Sequence, residues 1–494
     1  MKGKLSPTLI SLIPLAVLIV LLALCISIFG SDSILGASQV SLLLSSGVCI
    51  LLGMTCFKTE WKAIRETVST DIRNVTGAIM ILFLIGAISG TWTMSGIVPT
   101  LIYYGVQIIH PKVFLLSACV ICSIVSVMIG SSWTTIATIG VALLGIGQAL
   151  GFSTALTAGA IISGAYFGDK ISPLSDTTVM ASSVNGVPLF QHIRYMFFTT
   201  VPSIVIALVI YLVLGLGSTG AGSSDISLYT ETLGSKFHIS LFLLVVPLIT
   251  VWMIYKRFPA VAVLGISSVL AAVAACIAQP HILREIALQV LPSGGSEAKL
   301  LFTGTVRSFY DSVTLSTGVP EIDNLVSSRG MFGMLNTVYL IICAMCFGGC
   351  MKATGMIGRI AELLLPMAKN RTGIVSCTVL TGVFLNATVS DQYLSIIMDS
   401  DIYRELYRKK GFEMRLLSRT VEDSATVTSP LVPWGSCGMT QATILSVPTL
   451  VYAPFAFFCL ISPLMSILIA AIGWKIVRHE TAAEYRSGRQ TPSP

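Results

Sequence analysis

Long apolar runs are the feature that most constrains what this 494-residue chain can fold into. A helix needs about 20 apolar residues to cross a bilayer. Such runs lie at roughly residues 8 to 30, 35 to 57, 75 to 97, 113 to 130, 197 to 217, 238 to 255, 258 to 278, 335 to 350, 373 to 388 and 447 to 474. Gly, Ser and Thr interrupt the stretches 131 to 168 and 389 to 400. We therefore expect an all-α polytopic membrane protein with about ten to twelve membrane elements, some of them discontinuous.

The composition excludes several classes of function. A hydrophobic content of 54% with 11% charged residues does not suit a soluble globule. The twelve cysteines are scattered through apolar segments, the five histidines form no helical metal-binding pair, and no phosphate-binding glycine loop occurs. We therefore expect no cofactor, no resident metal and no ATPase of the chain's own.

The basic residues indicate how the chain is oriented. The net charge is +7, but the Lys and Arg residues gather in short segments between apolar runs, which does not suit a nucleic-acid surface. These segments are residues 2–4, 58–73, 256–257, 404–419 and 475–489. By the positive-inside rule all of them, and so both termini, are expected to be cytoplasmic. The first apolar run exceeds a signal peptide's core of about 7 to 15 residues, so it predicts a retained helix in the plasma (inner) membrane.

A short charged motif occurs twice. Ser172-Pro173-Leu174 recurs as Ser429-Pro430-Leu431, each copy in an apolar stretch close to carboxylates. Proline breaks a helix, and freed backbone groups are tolerated at membrane depth only beside protein or a water-filled cavity. An offset of 257 superposes the two motifs, and polar clusters about 39 residues upstream then coincide. The sequence thus predicts a repeat spanning roughly residues 75–216 and 335–474.

The charges predict that the two copies have opposite orientations. Segment 401–419 carries six basic residues, whereas its expected counterpart near 144–162 has none. Segment 57–74 likewise concentrates four basic residues, whereas the much longer segment 279–334 spreads four over a stretch of mixed charge. Equivalent segments would then lie on opposite sides of the membrane, as in inverted repeats. The expected organisation is a first half (1–217), a polar linker (218–235), a second half (236–474) and a cytoplasmic tail (475–494).

Five acidic residues are candidates for a binding site. A carboxylate at a helix centre costs about 2.5 to 3.5 kcal/mol, so such groups persist where they pair or bind something. Asp391 stands between apolar runs with no adjacent base, which favours a functional role. The other four are Asp169, Asp176, Glu422 and Asp423. For the first two a position at the membrane surface is the alternative, and for the last two a helix cap or a pair with Arg419.

Hydroxyl side chains accompany these acids. Together with carbonyls freed at the broken helices they would suit a small hard cation, whereas hydrogen bonding between helices is the ordinary role of Ser and Thr in membranes. The candidate neutral ligands are Ser172, Thr177, Thr426 and Ser429. A secondary group of candidates consists of Glu422, Ser131, Ser132, Thr134 and Ser390.

The motifs resemble those of the NhaC family of sodium/proton antiporters. The resemblance rests on residues 168–178 (GDKISPLSDTT), 390–395 (SDQYLS) and 422–438, which contains Ser-Pro-Leu-Val-Pro-Trp, and it covers most of residues 75–474. The chain has Ala425 where the family pattern has Gly, and Gly435-Ser436 where it has Asn-Thr. These differences bear on the transported substrate more than on the fold.

The resemblance implies a secondary carrier that exchanges Na⁺ or Li⁺ for H⁺ across the bilayer. In such a carrier one buried carboxylate cluster binds either ion but not both, and alternating access exposes it to each side. We expect Asp391 with Asp169 as the core of that cluster, and Asp176 and Asp423 as secondary acids. The alternative is a Na⁺- or H⁺-coupled exchanger of organic anions such as malate and lactate, which the family also includes.

Two other classes of protein fit less well. A channel more often has one pore lined by several subunits, and a membrane enzyme needs a nucleophile, metal or phosphate motif that does not stand out here. The sequence leaves a monomer and a homodimer open.

Overall fold

The structure, a computed structural model, describes residues 6–29, 36–217, 223–256, 258–361, 363 and 365–476. The helices of the first half are α1 (Pro7–Phe29), α2 (Ala37–Thr55), α3 (Trp61–Asn74), α4 (Thr76–Met94), α5 (Ile97–Ile108), α6 (Phe114–Ile129), α7 (Ser132–Thr135), α8 (Val141–Ala149), α9 (Thr154–Ile171), α10 (Asp176–Val184) and α11 (Leu189–Gly217). A π-helical segment, Ile136–Gly140, joins α7 to α8, and a 3₁₀ turn, Pro111–Val113, precedes α6.

The second half is also helical. Its helices are α12 (Ser223–Lys236), α13 (Val245–Tyr255), α14 (Ala260–Ala278), α15 (Pro280–Leu288), α16 (Glu297–Tyr310), α17 (Pro320–Leu325), α18 (Gly330–Ala353), α19 (Met356–Ala361), α20 (Arg371–Val389), α21 (Gln392–Lys409), α22 (Met414–Val421), α23 (Ser436–Leu445), α24 (Thr449–Tyr452) and α25 (Phe457–Ile472). A π-helical segment, Glu422–Thr426, extends α22, and 3₁₀ turns occupy Leu241–Leu244, Leu365–Met367, Ser429–Leu431 and Ala453–Phe455.

The expectation of an all-α polytopic membrane protein is confirmed. Nine helices in the described ranges are long and apolar enough to cross a membrane, and eleven if each of two bent helix pairs is one span. The most apolar is α1, whereas the span Ser132–Ala149 is 83% buried in the protein. A span surrounded by other helices can carry polar groups that lipid would not tolerate, so this part of the chain suits a binding site.

Several segments expected as loops are helical. Helix α21 runs on to Lys409 and α22 begins at Met414, so the connection between them is four residues long instead of spanning 401–419. Arg408 and Lys409 lie in the last turn of α21 and Arg419 in the last turn of α22, where the helix dipole favours cations. The linker expected at 218–235 contains α12 over its described part, and residues 477–494 of the expected tail lie outside the described residues.

Small residues set the closest helix packing. A Cβ on Gly168 of α9 would lie 2.5 Å from the Ser123 carbonyl oxygen of α6, and one on Gly164 would lie 3.0 Å from Cys122 Cβ. Association of membrane helices gains little from burying apolar surface, because lipid is equally apolar, so van der Waals contact between close backbones must stabilise it. The pair α6 and α9 thus forms a rigid support for the chain break that follows Ile171.

The order of elements in residues 114–184 recurs in residues 371–445, with α20 to α23 in the places of α6 to α10. Four pairs of left-handed backbone positions mark corresponding turns. Gly96 and Gly355 lie 259 positions apart, and the residues of the three further pairs lie 260 apart. Those three pairs are Gly130 with Ser390, Gly151 with Gly411, and Gly186 with Ser446. These three pairs of turns are therefore spaced by 260 residues, whereas the two Ser-Pro-Leu motifs are spaced by 257.

This difference moves the second chain break. Ser429–Leu431 forms a 3₁₀ turn that continues the α22 segment, and Pro430 is tolerated at its start because the first residues of a helix need no backbone donor. The backbone becomes extended at Val432, before α23. The equivalent of Ser172-Pro173-Leu174 is thus Val432-Pro433-Trp434, three residues later than expected.

Candidate functional site

The first break lies between α9 and α10. Ser172 leaves the helical conformation with φ −73° and ψ 128°, and its Oγ donates to the Val127 carbonyl oxygen of α6 (2.8 Å). Ser175 and Thr177 share a hydrogen bond of 2.9 Å, and Thr178 Oγ1 donates to the Lys170 carbonyl oxygen (2.8 Å). The predicted ligands Ser172 and Thr177 therefore make hydrogen bonds around the break, and donation of their hydrogen leaves lone pairs on their oxygen atoms.

Asp169 connects this break to the turn between α6 and α7. Its Oδ2 accepts hydrogen bonds from the Ser132 backbone nitrogen (3.2 Å) and from Ser132 Oγ (2.7 Å), and its side chain is buried. The neighbouring Ser131 caps α7 by accepting from the Thr134 nitrogen at 3.3 Å. Two residues that the sequence offered as separate candidates, Asp169 and Ser132, are therefore in direct contact at this turn.

The second break and the turn between α20 and α21 form an analogous arrangement. Ser429 Oγ lies 3.2 Å from Gln392 Oε1 and donates to the Thr426 carbonyl oxygen (2.7 Å), and the Ser436 nitrogen donates to the Ser390 carbonyl oxygen (2.8 Å). The hydroxyls of Ser390 and Thr426 are buried without a hydrogen-bond partner in the described structure. Two oxygen atoms are thus left free to bind a ligand.

Equivalent contacts recur at the two turns with the same spacing of 260 residues. They are Ser126 to the Ala165 carbonyl and Asn386 to the Ala425 carbonyl (2.6 Å each), the caps Ser131 and Asp391, and the pairs Ser132–Asp169 and Gln392–Ser429. The two turns differ in where the carboxylate lies. Asp169 corresponds to Ser429 at the pairs, and Asp391 corresponds to Ser131 at the caps. Asp169 thus has a neutral counterpart, Ser429.

Asp391, the acid that sequence reasoning favoured most, caps a helix. Its Oδ1 accepts from the Leu394 nitrogen of α21 (2.9 Å), and its side chain is 5% exposed. It makes no hydrogen bond to Asp169 among the described contacts. Tyr393 interacts electrostatically with Asp169, Asp176 and Asp391, and so connects the two turns.

The carboxylates lie at helix N-termini. Asp169 accepts from the first residue of α7, Asp391 caps α21, and Asp176 lies in the first turn of α10, where its side chain is exposed. The N-terminus of α23 contacts the Ser390 carbonyl instead. Helix N-termini carry about half a positive charge each. Those of α7 and α21 offset only part of the negative charge of ionised Asp169 and Asp391, and a monovalent cation or a proton would neutralise more of it.

Asp423, a predicted cation ligand, belongs to a separate buried ion-pair cluster. Lys170 Nζ forms an ion pair with Asp423 Oδ1 and also donates to Ser462 Oγ (3.0 Å). Thr199 Oγ1 donates to the same carboxylate oxygen at 2.9 Å. Arg419 Nε lies 3.7 Å from Asp423 Oδ2, and Lys170, Arg419 and Asp423 are all fully buried. Two bases thus surround Asp423, which leaves it poorly placed to hold a cation.

Glu422 lies between this cluster and the two turns. It is fully buried, and neither oxygen has a hydrogen-bond partner in the described structure. It interacts electrostatically with Lys170 and Asp169, and it faces Thr177 and Thr426. The expected alternatives, a helix cap or a pair with Arg419, are not seen, because Arg419 faces Asp423 and Glu422 lies within the π-helical segment.

Sequence reasoning missed several residues of this region. Lys170 was not among the predicted site residues, yet it pairs with a residue 253 positions away. Thr199, Tyr393 and Asn386 were not predicted either, whereas the pair of Asp423 with Arg419 was one of the expected alternatives. No local signal identifies Thr199, since a threonine in a membrane helix ordinarily bonds its own backbone or a neighbouring helix whether or not a charged cluster is near. The charge of Lys170 between apolar residues is a signal that could have been used.

Known proteins resemble this chain along most of its length. The sequence model of the Na⁺/H⁺ antiporter family matches residues 4–184 and 164–474. The Na⁺/H⁺ antiporter NhaC of Alkalihalophilus pseudofirmus is 35% identical over 442 residues, which cover 89% of this chain and 92% of that protein.

Two further relatives have names that refer to other substrates. The arginine/ornithine antiporter ArcD of Halobacterium salinarum is 34% identical over 94% of this chain and 92% of its own length. The malate-2H⁺/Na⁺-lactate antiporter of Bacillus subtilis is 32% identical over 96% of both chains. Similarity at this level therefore extends over relatives that differ in what they carry.

Proposed function

This chain belongs to the Na⁺/H⁺ antiporter family, and from that premise we propose that it is a secondary carrier exchanging Na⁺ or Li⁺ for H⁺ by alternating access. The chain is a multi-pass membrane protein. The family consists of transporters, so the enzyme reading is set aside.

The observation that carries this proposal is the balance of charge at the broken helices. The N-termini of α7 and α21, at about half a positive charge each, leave roughly one negative charge on the buried pair Asp169 and Asp391. One Na⁺ or one H⁺ neutralises that charge, and binding of both would leave an uncompensated positive charge in a buried site. Competition for a single charge is sufficient for one-for-one exchange. Asp169 is the favoured direct ligand, because Asp391 caps α21 and contributes to the site mainly through its charge.

The recurring element order supports alternating access between two repeats. Chain breaks in equivalent positions of two halves are typical of carriers with inverted repeats. The shared turns and contacts at a spacing of 260 support two copies, and the basic ends of α21 and α22, without counterpart at residues 150–153, support opposite orientations. With this topology the connection 410–413 and both termini are cytoplasmic and the protein is in the plasma membrane.

An organic ion is the second candidate substrate. Two relatives of similar identity have names that refer to malate with lactate and to arginine with ornithine. Ser436 at the start of α23, where the family pattern has Thr, faces Ser390. A substrate carboxylate at that helix N-terminus, with the cation bridging it to the acids, would be consistent with helix-end recognition.

Ion addition to sealed vesicles distinguishes the two. Purified protein is reconstituted with an internal pH dye, the vesicles are acid-loaded, and Na⁺, Li⁺, K⁺, malate, lactate and arginine are added one at a time. We expect Na⁺ and Li⁺ to dissipate the pH gradient and K⁺ to have little effect. A flat signal with Na⁺ alone, together with Na⁺-stimulated uptake of an organic ion, would favour the second candidate.

A further inference from the structure

A row of buried polar side chains runs along α21. Asp391, Ser395, Asp399, Tyr403 and Tyr407 follow one another at four-residue spacing, and none is more than 5% exposed. Residues four apart lie on neighbouring turns of one helix face. With a rise of about 1.5 Å per residue, the sixteen residues from Asp391 to Tyr407 span about 24 Å. The row thus leads from the turn beside the candidate site to the exposed end of α21 at Lys409.

Hydroxyl groups on two other helices face this row. Tyr403 shares a hydrogen bond with Thr381 Oγ1 of α20 (2.8 Å), and Tyr407 shares one with Thr378 Oγ1 (3.1 Å). Thr420 of α22 lies beside the Tyr407 hydroxyl. Asp399 and Ser424 meet over Gly382, where a Cβ would lie 3.1 Å from Asp399 Oδ2 and 2.5 Å from Ser424 Oγ.

The equivalent positions of the first half are apolar or small. At the spacing of 260, Asp399, Tyr403 and Tyr407 correspond to Ile139, Leu143 and Gly147, and the facing Thr381, Thr420 and Ser424 correspond to Ile121, Ala160 and Gly164. The helices in the corresponding places of the first half are thus built without these polar groups. Helix packing alone does not require them, so the polar row needs another explanation.

The row contains two carboxylates, Asp391 and Asp399. Asp399 has no hydrogen-bond or ion-pair partner among the residues that the structure describes. Its side chain is fully buried, and neither oxygen accepts a hydrogen bond from the part of the chain that is described. A carboxylate without donors is costly in such surroundings, whereas the neutral acid is far less so. Among the described residues no base lies within the 4.0 Å of an ion pair.

The other ionisable groups near Asp399 form no hydrogen bond or ion pair with it in the described structure. Tyr403 and Tyr407 on its own helix interact with it electrostatically, and Cys377 on α20 and Arg419 on α22 face those two tyrosines. The π-helical segment packed on α21 carries Glu422 and Asp423, whose nearest base is Lys170, and α10 carries the exposed Asp176.

We propose that Asp399 carries protons between the exposed end of α21 and the cation site, along a route that Na⁺ does not use. Hydroxyls relay a proton by accepting one on a lone pair and releasing their own, and a carboxyl holds it in between. Each transfer breaks one O–H bond and forms another, without oxidation or reduction. The inference rests on the proposed Na⁺/H⁺ exchange and adds where the proton travels.

The test compares two transport modes of one reconstituted protein. ²²Na⁺ exchange against unlabelled Na⁺ needs no proton, whereas Na⁺-driven dissipation of a pH gradient does. We expect Asp399→Asn to lower the proton-coupled mode about 10-fold or more, as expected for loss of a positioned proton carrier, and to change Na⁺/Na⁺ exchange little. Asp399→Glu should keep part of both modes. Asp401→Asn, the same change at an exposed neighbour paired with Arg404, is the matched control.

Each outcome decides between readings. Wild-type proton coupling in Asp399→Asn would overturn this inference alone, and equal loss of both modes in Asp399→Asn and Asp399→Glu would assign Asp399 a structural role. If Asp399→Asn does not fold, Tyr403→Phe, which removes only a hydroxyl, must slow the proton-coupled mode selectively, and equal slowing of both modes contradicts the route. A wild-type protein that exchanges Na⁺ without moving protons would overturn the proposed function itself.

Discussion

The buried pair Lys170–Asp423 should be the strongest single polar contribution to holding the two halves together. Both side chains are fully buried, and the pair joins α9 to the π-helical segment 253 residues later. Removing one partner of such a pair leaves a buried charge uncompensated and costs about 3 to 5 kcal/mol. We expect Lys170→Met to fall in this range and Asp423→Asn to cost more, because Arg419 also loses the carboxylate that lies 3.7 Å away.

The double variant gives the sharper result. In Lys170→Met/Asp423→Asn one uncompensated base is absent, so this protein should be more stable than Asp423→Asn alone, with a coupling free energy of at least about 2 kcal/mol. The assay is denaturant unfolding of purified protein in detergent micelles, followed by tryptophan fluorescence. The exposed pair Lys409–Glu405, at 2.9 Å, is the control and should show coupling below about 1 kcal/mol. Additive losses for Lys170 and Asp423 would refute the reasoning.

Three further predictions concern the cap, the helix packing and the topology. Asp391→Asn should unfold within about 1 kcal/mol of wild type because Asn caps equally well, yet lose exchange, whereas Asp391→Ala should also lose about 0.5 to 2 kcal/mol of stability; denaturant unfolding and vesicle transport measure both. Gly164→Leu should prevent the contact of α6 with α9 and abolish the monodisperse chromatography peak, while Gly47→Leu, with open space around it, should retain that peak. A cysteine at position 410 should react with an impermeant thiol reagent only in inside-out vesicles; labelling in intact cells would contradict the inverted topology.

The sequence predicted the class of fold because the length of an apolar run is a direct measure of membrane span. It also indicated which acids are candidates for a site, since a carboxylate among apolar residues is costly enough to require a reason. Asp169 with Ser132 is the case in which motif, spacing and geometry agree.

The spacing between corresponding positions of the two halves could not be derived from identical motifs alone. Two identical Ser-Pro-Leu motifs suggested 257, whereas the turns recur at 260 because equivalence of a turn depends on a left-handed backbone, which Gly130 and Ser390 adopt with different side chains. The second proline motif forms a 3₁₀ turn, whereas the same three residues at 172–174 follow the end of a helix.

Partners from distant segments were the other limit. Nothing near Asp423 in sequence indicates Lys170, and an interpretation of 401–419 as a loop hid the helical spacing that relates Asp399 to Tyr403. Once α21 extends to Lys409, that spacing follows from the sequence. The fully buried polar groups were therefore harder to predict than the helices that carry them.

Uphill transport through Asp169 tests the central claim most directly. Liposomes that contain the purified protein and an acidic interior receive external ²²Na⁺ at neutral pH, and the accumulated label is measured against an ionophore-collapsed gradient. A carrier that exchanges Na⁺ for H⁺ at this site concentrates ²²Na⁺ inside, and Asp169→Asn, folded to the same extent, does not. Accumulation by Asp169→Asn at the wild-type level, or none by the wild-type protein, would contradict the account.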